Sequence, residues 1–243
     1  MNALETNALS KSFGGLKAVS ELDLSLGQGE ILGLIGPNGA GKTTVFNCLS
    51  RFLPTDSGQT IFYGRDITDL KPHAVSQLGL ARTFQIVRPF LTISVLENVM
   101  VGALVKEKSV KKAKAQSMSI LERVGLEDVK NRPASELPLP RRKRLEMARA
   151  LATKPKVLLL DEVMAGLNPT EVDELIVLLK KINRQGISIF LIEHVMRGVM
   201  ALSNRVIVIN YGVKIAEGPP DEVVKDKGVI EAYLGKEFLS AQG

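Results

Sequence analysis

The sequence predicts an α/β fold, built on a largely parallel sheet with a helical insert. Short apolar runs bounded by glycine, charged or turn residues are typical of strands that are buried on both faces. Segments of helical period lie between these runs, and strands that alternate with helices indicate a parallel sheet. The predicted strands are 31–35, 157–160, 187–192 and 206–209, with a hairpin strand at 213–216, and the predicted helices between them are 43–51, 169–182 and a short one from Asp221.

The middle of the chain, from about residue 88 to residue 153, has a different pattern. Three segments of helical period, 95–105, 108–124 and 142–153, follow one another without a convincing strand. We therefore expect one domain, with an α/β core of residues 1–87 and 154–243 and a helical subdomain at about 88–153.

The composition excludes several classes of protein. The chain has 243 residues, 45% of them hydrophobic and 24% charged, which is typical of a globular protein rather than a disordered or fibrous one. No apolar run approaches the roughly 18 residues that span a bilayer, and the first residues lack the pattern of a signal peptide. One cysteine, Cys48, excludes an internal disulfide and a cysteine-based zinc site. We expect a soluble protein of a reducing, intracellular compartment.

The strongest motif is a glycine-rich loop between the first predicted strand and the first predicted helix. It fits the pattern G-x-x-x-x-G-K-[ST], which is specific in this context. Its glycines let backbone N–H groups turn inward onto an anion, and the helix N-terminus adds partial positive charge. Lys42 is then placed to reach the β- and γ-phosphates, Thr43 to coordinate Mg²⁺ and Thr44 to contact the α-phosphate side. The loop predicts a nucleoside triphosphate site formed by Gly36, Pro37, Asn38, Gly39, Ala40, Gly41, Lys42, Thr43 and Thr44.

Carboxylates and a histidine follow two further predicted strands. Asp161 and Glu162 come directly after the second strand, and His194 lies just past the third. In an open parallel sheet, ligands bind beyond the carboxyl ends of the strands. We expect Asp161 to hold Mg²⁺, Glu162 to polarise the water that attacks the γ-phosphate, and His194 to donate a hydrogen bond to a γ-phosphate oxygen. On its own, a histidine at such a place is more often structural.

Taken together, these motifs resemble the nucleotide-binding subunit of ABC transporters over essentially the whole chain. Phe13 stands where that family has the aromatic residue that stacks on adenine, and Gln85 stands where it has a glutamine that contacts metal and water. The segments 82–85, 95–98, 165–169 and 192–194 are most similar to those of branched-chain amino-acid importers. The resemblance implies a P-loop NTPase of ABC type, with an antiparallel β portion beside the mainly parallel sheet.

The resemblance also implies an activity and a set of partners. It implies an ATPase that uses ATP and Mg²⁺. The residues implied to be catalytic are Glu162, His194, Lys42 and Gln85, and those implied at the metal are Thr43, Gln85 and Asp161. The implied partners are transmembrane permease subunits, a second ATPase subunit and, indirectly, an extracytoplasmic substrate-binding protein. The implied location is the cytoplasmic face of the cell membrane, and a branched-chain amino acid as substrate rests on family analogy.

One segment departs from the family's pattern. Where the family has its signature, Leu-Ser-Gly-Gly-Gln, this chain has Leu-Pro-Leu-Pro-Arg at 137–141. In the family this segment reaches across a head-to-tail dimer and binds the partner's γ-phosphate. Here the serine hydroxyl is absent and two prolines offer no N–H, although Arg141 and Arg142 bring positive charge to the helix start. We therefore expect one complete site that uses a partner's signature and one weakened site, as suits a heterodimer of unlike ATPase subunits; a homodimer is the alternative that the sequence leaves open.

Other functions remain open on the sequence alone. Lipopolysaccharide-export ATPases share some of these motifs. A net charge of +6 and the lysine-rich segment 106–114 allow a soluble ABC-type ATPase that acts on nucleic acid, although we expect no nucleic-acid partner and interpret the lysines as a solvated helix face. The altered signature also allows a scaffold that binds nucleotide without hydrolysing it. The surface expected to contact a membrane partner is the segment 85–91 together with the helical insert.

Overall fold

The computed structural model describes residues 1–85 and 87–234, which form two sheets and nine α-helices. The strands are β1 (Asn2–Phe13), β2 (Leu16–Gly27), β3 (Ile31–Ile35), β4 (Ser57–Phe62), β5 (Arg65–Asp66), β6 (Leu80–Arg82), β7 (Val157–Asp161), β8 (Ser188–Ile192), β9 (Arg205–Asn210) and β10 (Val213–Gly218). The helices are α1 (Lys42–Leu49), α2 (Pro72–Leu78), α3 (Val95–Ala103), α4 (Val110–Val124), α5 (Leu139–Ala152), α6 (Pro169–Asn183), α7 (Met196–Leu202), α8 (Pro220–Val223) and α9 (Lys227–Leu234).

The larger sheet is the predicted parallel one. Its strand order is β10-β9-β3-β8-β7-β6, and every neighbouring pair is parallel except the β9–β10 hairpin. The strands β3, β7 and β8 are buried along their whole length, because helices or the second sheet cover both faces. The segments that follow β3, β6, β7 and β8 therefore meet at one edge of the sheet, where the sequence predicts the site.

The second sheet is antiparallel, with the order β2-β1-β4-β5, and the strand pattern of the sequence did not locate it. Register shifts interrupt the pairing of β1 with β2, and Ala8 has a positive φ of 48°. Bulges of this kind break the period-two alternation that identifies a half-buried strand. A readable signal remained in β2, where the buried leucines alternate with polar residues at Leu22, Leu24 and Leu26.

The segment 88–153 carries the three helices α3, α4 and α5, and its described residues contain no strand. The helix α5 begins at Leu139 rather than at the predicted residue 142, because Pro138 takes the N-cap position and Pro140 stands in the first turn, where proline is tolerated. Its buried side chains, such as Leu145, share one apolar cluster with Leu158 and Leu160 of the parallel sheet. The helices thus pack directly onto the sheet that carries the site.

Two expectations from the sequence concern a membrane-spanning segment and residues that the structure does not describe. Among these residues, no helix is both long enough and apolar enough to cross a membrane. Ile86, in the segment expected to contact a membrane partner, lies outside the described residues, as does the stretch 235–243 that was assigned to the core.

Candidate nucleotide site

The glycine-rich loop lies between β3 and α1, as the sequence predicts. Gly41 is the N-cap of α1 with a φ of 104°, and a Cβ at this position would lie 2.2 Å from the carbonyl oxygen of Ala18. A Cβ at Gly36 would lie 2.1 Å from the carbonyl oxygen of Ile209. Both positions therefore require glycine for space as well as for backbone conformation. The first N–H groups of α1 are left free for an anion.

Lys42 crosses the loop that precedes it. Its ammonium donates hydrogen bonds to the carbonyl oxygens of Gly36, at 2.6 Å, and Pro37, at 2.9 Å. Burial lowers the pKa of Lys42, and the nearby carboxylates of Glu162 and Asp161 oppose that decrease. The carbonyl oxygens and the two carboxylates favour the charged form, so the loop holds a positive charge where a triphosphate would lie.

A cleft of about 470 Å³ opens over this loop. Its walls include the predicted residues Phe13, Gln85 and Glu162 as well as the loop itself. The ring of Phe13 is half exposed, with 48% of its surface accessible. Tyr211, in the turn between β9 and β10, also lines the cleft and is almost fully exposed. Sequence reasoning placed the turn but assigned no role to Tyr211, because a turn residue carries no pattern that marks it as a site residue.

Asp161 ends β7 and is almost completely buried, with 1% of its surface exposed. Its Oδ2 forms an ion pair of 2.8 Å with Arg82 of β6, whose guanidinium also donates to Asn47 and Ser50 of the α1 region. Burial raises the pKa of Asp161, and the hydrogen bond from Arg82 opposes the rise. The other oxygen, Oδ1, has no hydrogen-bond partner among the described residues. Sequence reasoning missed Arg82, since its partners are far apart in the chain.

Three of the predicted residues meet around one carboxylate oxygen. The Nε2 of Gln85 donates a hydrogen bond of 2.7 Å to Oε2 of Glu162, and Nδ1 of His194 lies 3.7 Å from the same oxygen. Glu162 has a positive φ of 49°, and its N–H bonds to the carbonyl oxygen of Ile192 in β8 at 2.9 Å. The tertiary fold therefore brings together residues from three separate strand ends.

The oxygen atoms at this edge of the sheet fit a magnesium ion. Mg²⁺ prefers oxygen ligands and usually keeps several waters or substrate phosphates in its coordination sphere. The unpartnered Oδ1 of Asp161, the hydroxyl of Thr43 and the side-chain carbonyl of Gln85 supply such oxygens. No group of three His, Cys, Asp or Glu side chains in the described part of the chain forms a metal cluster. Phosphate oxygens would therefore have to complete the coordination.

Two buried ionisable residues lie behind the carboxylate of Glu162, and sequence reasoning assigned a role to neither. Lys143 of α5 is 6% exposed, and its ammonium donates to the backbone carbonyl oxygens of Glu162 and Ala165. Lys143 therefore points into the protein, whereas Arg141 and Arg142 beside it stay more exposed. Glu193 is 1% exposed, and burial raises its pKa to about 7. Their burial was not predicted, because lysine and glutamate side chains are seldom buried unless they are paired, and a sequence does not show the pairing.

The altered signature segment forms the first turn of α5. With prolines at 138 and 140, the free N–H groups that remain before the first intrahelical bond belong to Leu139 and Arg141. The side chain of Arg141 forms an ion pair of 2.8 Å with Asp128, and that of Arg142 donates to the carbonyl oxygen of Ser135. Both guanidinium groups are thus engaged within the same subunit.

A groove of about 790 Å³ lies between the parallel sheet and the helices of segment 88–153. Gln85 and Asp161 reach it from the nucleotide side, and the half-exposed rings of Phe52 and Phe84 pack edge to face on its wall. Glu146 of α5 accepts hydrogen bonds from the Arg88 N–H, at 2.9 Å, and from the Arg149 guanidinium. The backbone after Gln85 is therefore tied to α5.

Comparison with known proteins assigns the family. The family described as "ABC transporter" matches residues 19–165 of this chain. The chain belongs to the ABC transporter family. It is an ATP-binding cassette, an ATPase subunit of that family, and a second family description, "Branched-chain amino acid ATP-binding cassette transporter", matches residues 213–238.

Similar proteins resemble the cassette over nearly its full length. The high-affinity branched-chain amino acid transport ATP-binding protein LivG of Salmonella typhimurium is 41% identical over 96% of this chain and 98% of its own. The protein BraF of Pseudomonas aeruginosa, which carries the same description, is 38% identical over the same shares. The ADP conformation of an ATP-binding cassette from an ABC transporter superposes with a TM-score of 0.88 and 31% identity, covering 97% of this chain and all of that one. A nucleotide-free cassette gives a TM-score of 0.89.

Proposed function

We propose that the cassette hydrolyses ATP in the cleft over the glycine-rich loop and thereby energises uptake of branched-chain amino acids. The observation that supports the catalytic part most directly is the convergence of Gln85 and His194 on the carboxylate of Glu162, beside the loop that holds Lys42. The substrate class follows from the relatives, which are named for branched-chain amino acid transport, and from the matching family description at 213–238.

Each residue of the cleft has a proposed part in binding ATP. The backbone N–H groups of 36–44 hold the phosphates, Lys42 turns its ammonium from the loop carbonyls to the β- and γ-phosphates, and Thr44 contacts the α-phosphate side. Phe13 stacks on the adenine ring from the open side of the cleft, because its half-exposed ring lines that wall. Thr43, Asp161 and Gln85 hold Mg²⁺, which neutralises charge on the phosphates.

Hydrolysis needs a water aligned with the γ-phosphate and an acceptor for its proton. Glu162 accepts the hydrogen bond of that water and takes its proton as the water oxygen bonds to the γ-phosphorus and the bond to the ADP oxygen breaks. Gln85 orients the water and the carboxylate through its side-chain amide. His194 donates a hydrogen bond to an oxygen of the transferred phosphoryl group. The products are ADP and inorganic phosphate.

The groove between the sheet and the helical segment is the proposed docking surface for permease subunits. It presents apolar and aromatic side chains such as Phe52 and Val101 beside arginines such as Arg88, and it extends to Gln85 of the nucleotide site. A permease segment seated there touches the same residue that orients the water, so docking and hydrolysis are coupled. The cassette would then work at the cytoplasmic face of the membrane, with an extracytoplasmic binding protein delivering the amino acid to the permease.

The second ATPase subunit is proposed to be a different chain. The first turn of α5 offers two N–H groups and no hydroxyl to a partner's γ-phosphate, and Arg141 and Arg142 are engaged within the subunit. The site built from this chain's loop and Glu162 is complete once a partner supplies an intact signature. A heterodimer of unlike cassettes meets that requirement, whereas a homodimer would have two weakened sites.

The catalytic proposal is tested by Glu162→Gln. This variant is expected to lose about 100-fold to 10,000-fold in turnover, the usual contribution of a general base, while ATP still binds. Phosphate release and ATP affinity are measured for the cassette assembled with its permease and partner subunits. Glu122→Gln, on the exposed face of α4, is the matched control. Multiple turnover by Glu162→Gln would overturn the assignment.

The transport proposal needs its own measurement. Proteoliposomes that carry the cassette, its permease subunits and the binding protein are expected to accumulate labelled leucine in an ATP-dependent manner. Outward movement of the label, or no transport of any branched-chain amino acid, would contradict the proposal. The heterodimer proposal is tested by hydrolysis in the cassette alone. It would be contradicted if the cassette alone hydrolysed ATP as fast as the complex does and if Arg141→Ala lowered that rate.

A further inference from the structure

The catalytic carboxylate stands on a strained turn. Glu162 is a non-glycine residue in the left-handed region, a conformation that persists only where surrounding contacts fix it. The N–H of Glu162 is held by Ile192 in β8, and its carbonyl oxygen accepts a bond from the N–H of Ala165 at 3.2 Å. Because φ and ψ of Glu162 set the direction of its Cα–Cβ bond, the contacts of this turn decide where the carboxylate points.

Lys143 binds both ends of that turn. Its ammonium donates to the carbonyl oxygen of Glu162 at 3.1 Å and also to the carbonyl oxygen of Ala165. Burial lowers the pKa of Lys143, and the carboxylates of Glu193 and Glu162 oppose the decrease. A buried ammonium is stable only where acceptors and opposite charge surround it, so the position of Lys143 is fixed together with the turn.

Glu193 holds the same turn from the side of β8. Its Oε1 accepts a hydrogen bond of 2.8 Å from the N–H of Met164, between the two carbonyl groups that Lys143 binds. Its Oε2 has no hydrogen-bond partner in the described residues. The turn 162–165 is therefore held by the Lys143 ammonium on two of its carbonyl groups and by a carboxyl oxygen of Glu193 on one of its N–H groups.

The helix that carries Lys143 begins with the altered signature segment. Leu139, in the first turn of α5, lies close to Gly166, since a Cβ at Gly166 would meet its Cδ2 at 3.3 Å. Lys143 follows one turn later on the same helix. A helix moves as a rigid element, so a displacement of the segment 137–141 is carried to the carbonyl groups of the turn 162–165.

We propose that Lys143 is a positioning residue for Glu162, with Glu193 completing the clamp, and that through α5 it connects the signature segment of this chain to the catalytic carboxylate of the chain's own nucleotide site. The proposal rests on the proposed role of Glu162 in activating water. It assigns a function to Lys143 and Glu193, two buried ionisable residues that have no part in the proposed binding of the phosphates. It also gives a physical route by which a partner's nucleotide bound at the segment 137–141 changes the position of the Glu162 carboxylate.

The experiment replaces the ammonium and keeps the aliphatic stem. In the cassette assembled with its partner and permease subunits, Lys143→Met is expected to lower kcat about tenfold or more, because sub-ångström misplacement of a reacting group has effects of this size, and to change the ATP Kd by less than about twofold. Lys143→Arg, which retains donors for both carbonyl groups, is expected to restore kcat to within about threefold of the native cassette. Lys181→Met, on the exposed face of α6, is the matched control.

A second readout does not depend on activity. Amide hydrogen exchange of residues 163–167 is expected to be about tenfold faster in Lys143→Met than in the native cassette, and unchanged in Lys181→Met, since the clamp protects this turn from local opening. If Lys143→Met does not fold, Lys143→Gln replaces it with the same expected directions, because the shorter neutral side chain cannot bridge both carbonyl oxygens.

The outcomes separate the inference from the proposed function. Native turnover or native exchange in Lys143→Met overturns the inference, as does a Lys143→Arg variant no faster than Lys143→Met. A matching loss of ATP affinity in Lys143→Met would indicate a general structural defect and would also overturn it. Retained turnover in Glu162→Gln, measured alongside, would instead overturn the catalytic proposal itself.

Discussion

Replacing Glu193 by glutamine is expected to remove a pH-dependent part of the cassette's stability. Glu193 is buried against the turn 162–165, with Lys143 and Glu162 as the charged side chains that affect its pKa. Burial raises the pKa of Glu193 from 4.5 to about 7, while the Met164 N–H and the charge of Lys143 oppose that rise. The folded protein therefore keeps a proton on Glu193 at pH values where the unfolded chain has released it.

The sign and size of the effect follow from linkage. Where the folded state binds more protons than the unfolded state, the free energy of unfolding falls as the pH rises. The fall in unfolding free energy begins near pH 4.5, the pKa of Glu193 in the unfolded chain, and ends near pH 7, its pKa in the folded protein. At 1.36 kcal/mol per pKa unit, the difference of about 2.5 units corresponds to at most about 3–4 kcal/mol of stability lost across that window.

Glutamine cannot ionise, and its carbonyl oxygen can still accept the hydrogen bond from Met164. At pH 8 the variant has no buried negative charge, which stabilises it relative to the native protein. Its side-chain NH₂ group has no acceptor, however, and this reduces the gain in unfolding free energy by about 1–2 kcal/mol. We expect Glu193→Gln to be about 1–2 kcal/mol more stable than the native protein at pH 8 and equal or less stable at pH 5.

The assay is urea unfolding, followed by circular dichroism, at half-unit steps from pH 5 to pH 8. The quantity compared is the difference in unfolding free energy between variant and native protein, because other titrating groups cancel in it. Glu122→Gln, which leaves the buried cluster intact, is the control. A difference that does not change between pH 5 and pH 8 would refute the reasoning, since Glu193 would then take up no proton on folding.

Two further substitutions test the site. Asp161 is only 1% exposed, and Arg82→Met removes its counter-ion. The variant is expected to lower the unfolding free energy by about 3–5 kcal/mol, as for other broken buried ion pairs. Part of the loss should return in the Arg82→Met/Asp161→Asn double variant, and an Arg82→Met variant with native stability in urea would contradict the ion pair. Phe13→Ala is expected to weaken ATP and ADP binding equally, by about 1–3 kcal/mol, if the ring stacks on the base. Phe13→Tyr should bind as the native protein does, and native affinity in Phe13→Ala, measured by calorimetry, would rule out stacking.

Local sequence patterns located the central features of the fold. The strand β3 and the loop after it were predictable because continuous apolar residues, a glycine-rich loop and a helix start follow one another within about fifteen residues. The apolar run that ends at Asp161 was equally clear. The antiparallel sheet was not, because the bulges of β1 at Ala8 and beyond disturb its alternation. The start of α5 was misplaced because proline in a first turn does not end a helix.

What the sequence by itself determined is chemistry that adjacent residues carry: the glycine loop with Lys42 and the acidic pair at the end of β7. Only the tertiary structure decided which distant charges share a site. Arg82 meets Asp161, and Lys143 meets the turn of Glu162, across separations of 79 and 19 residues. A single sequence does not encode these pairings as a period or a spacing, since they arise when parallel strands and a packed helix bring their ends to one edge of the sheet. Burial then strengthens the electrostatic interactions of these charged side chains, and burial is decided only when the whole chain packs.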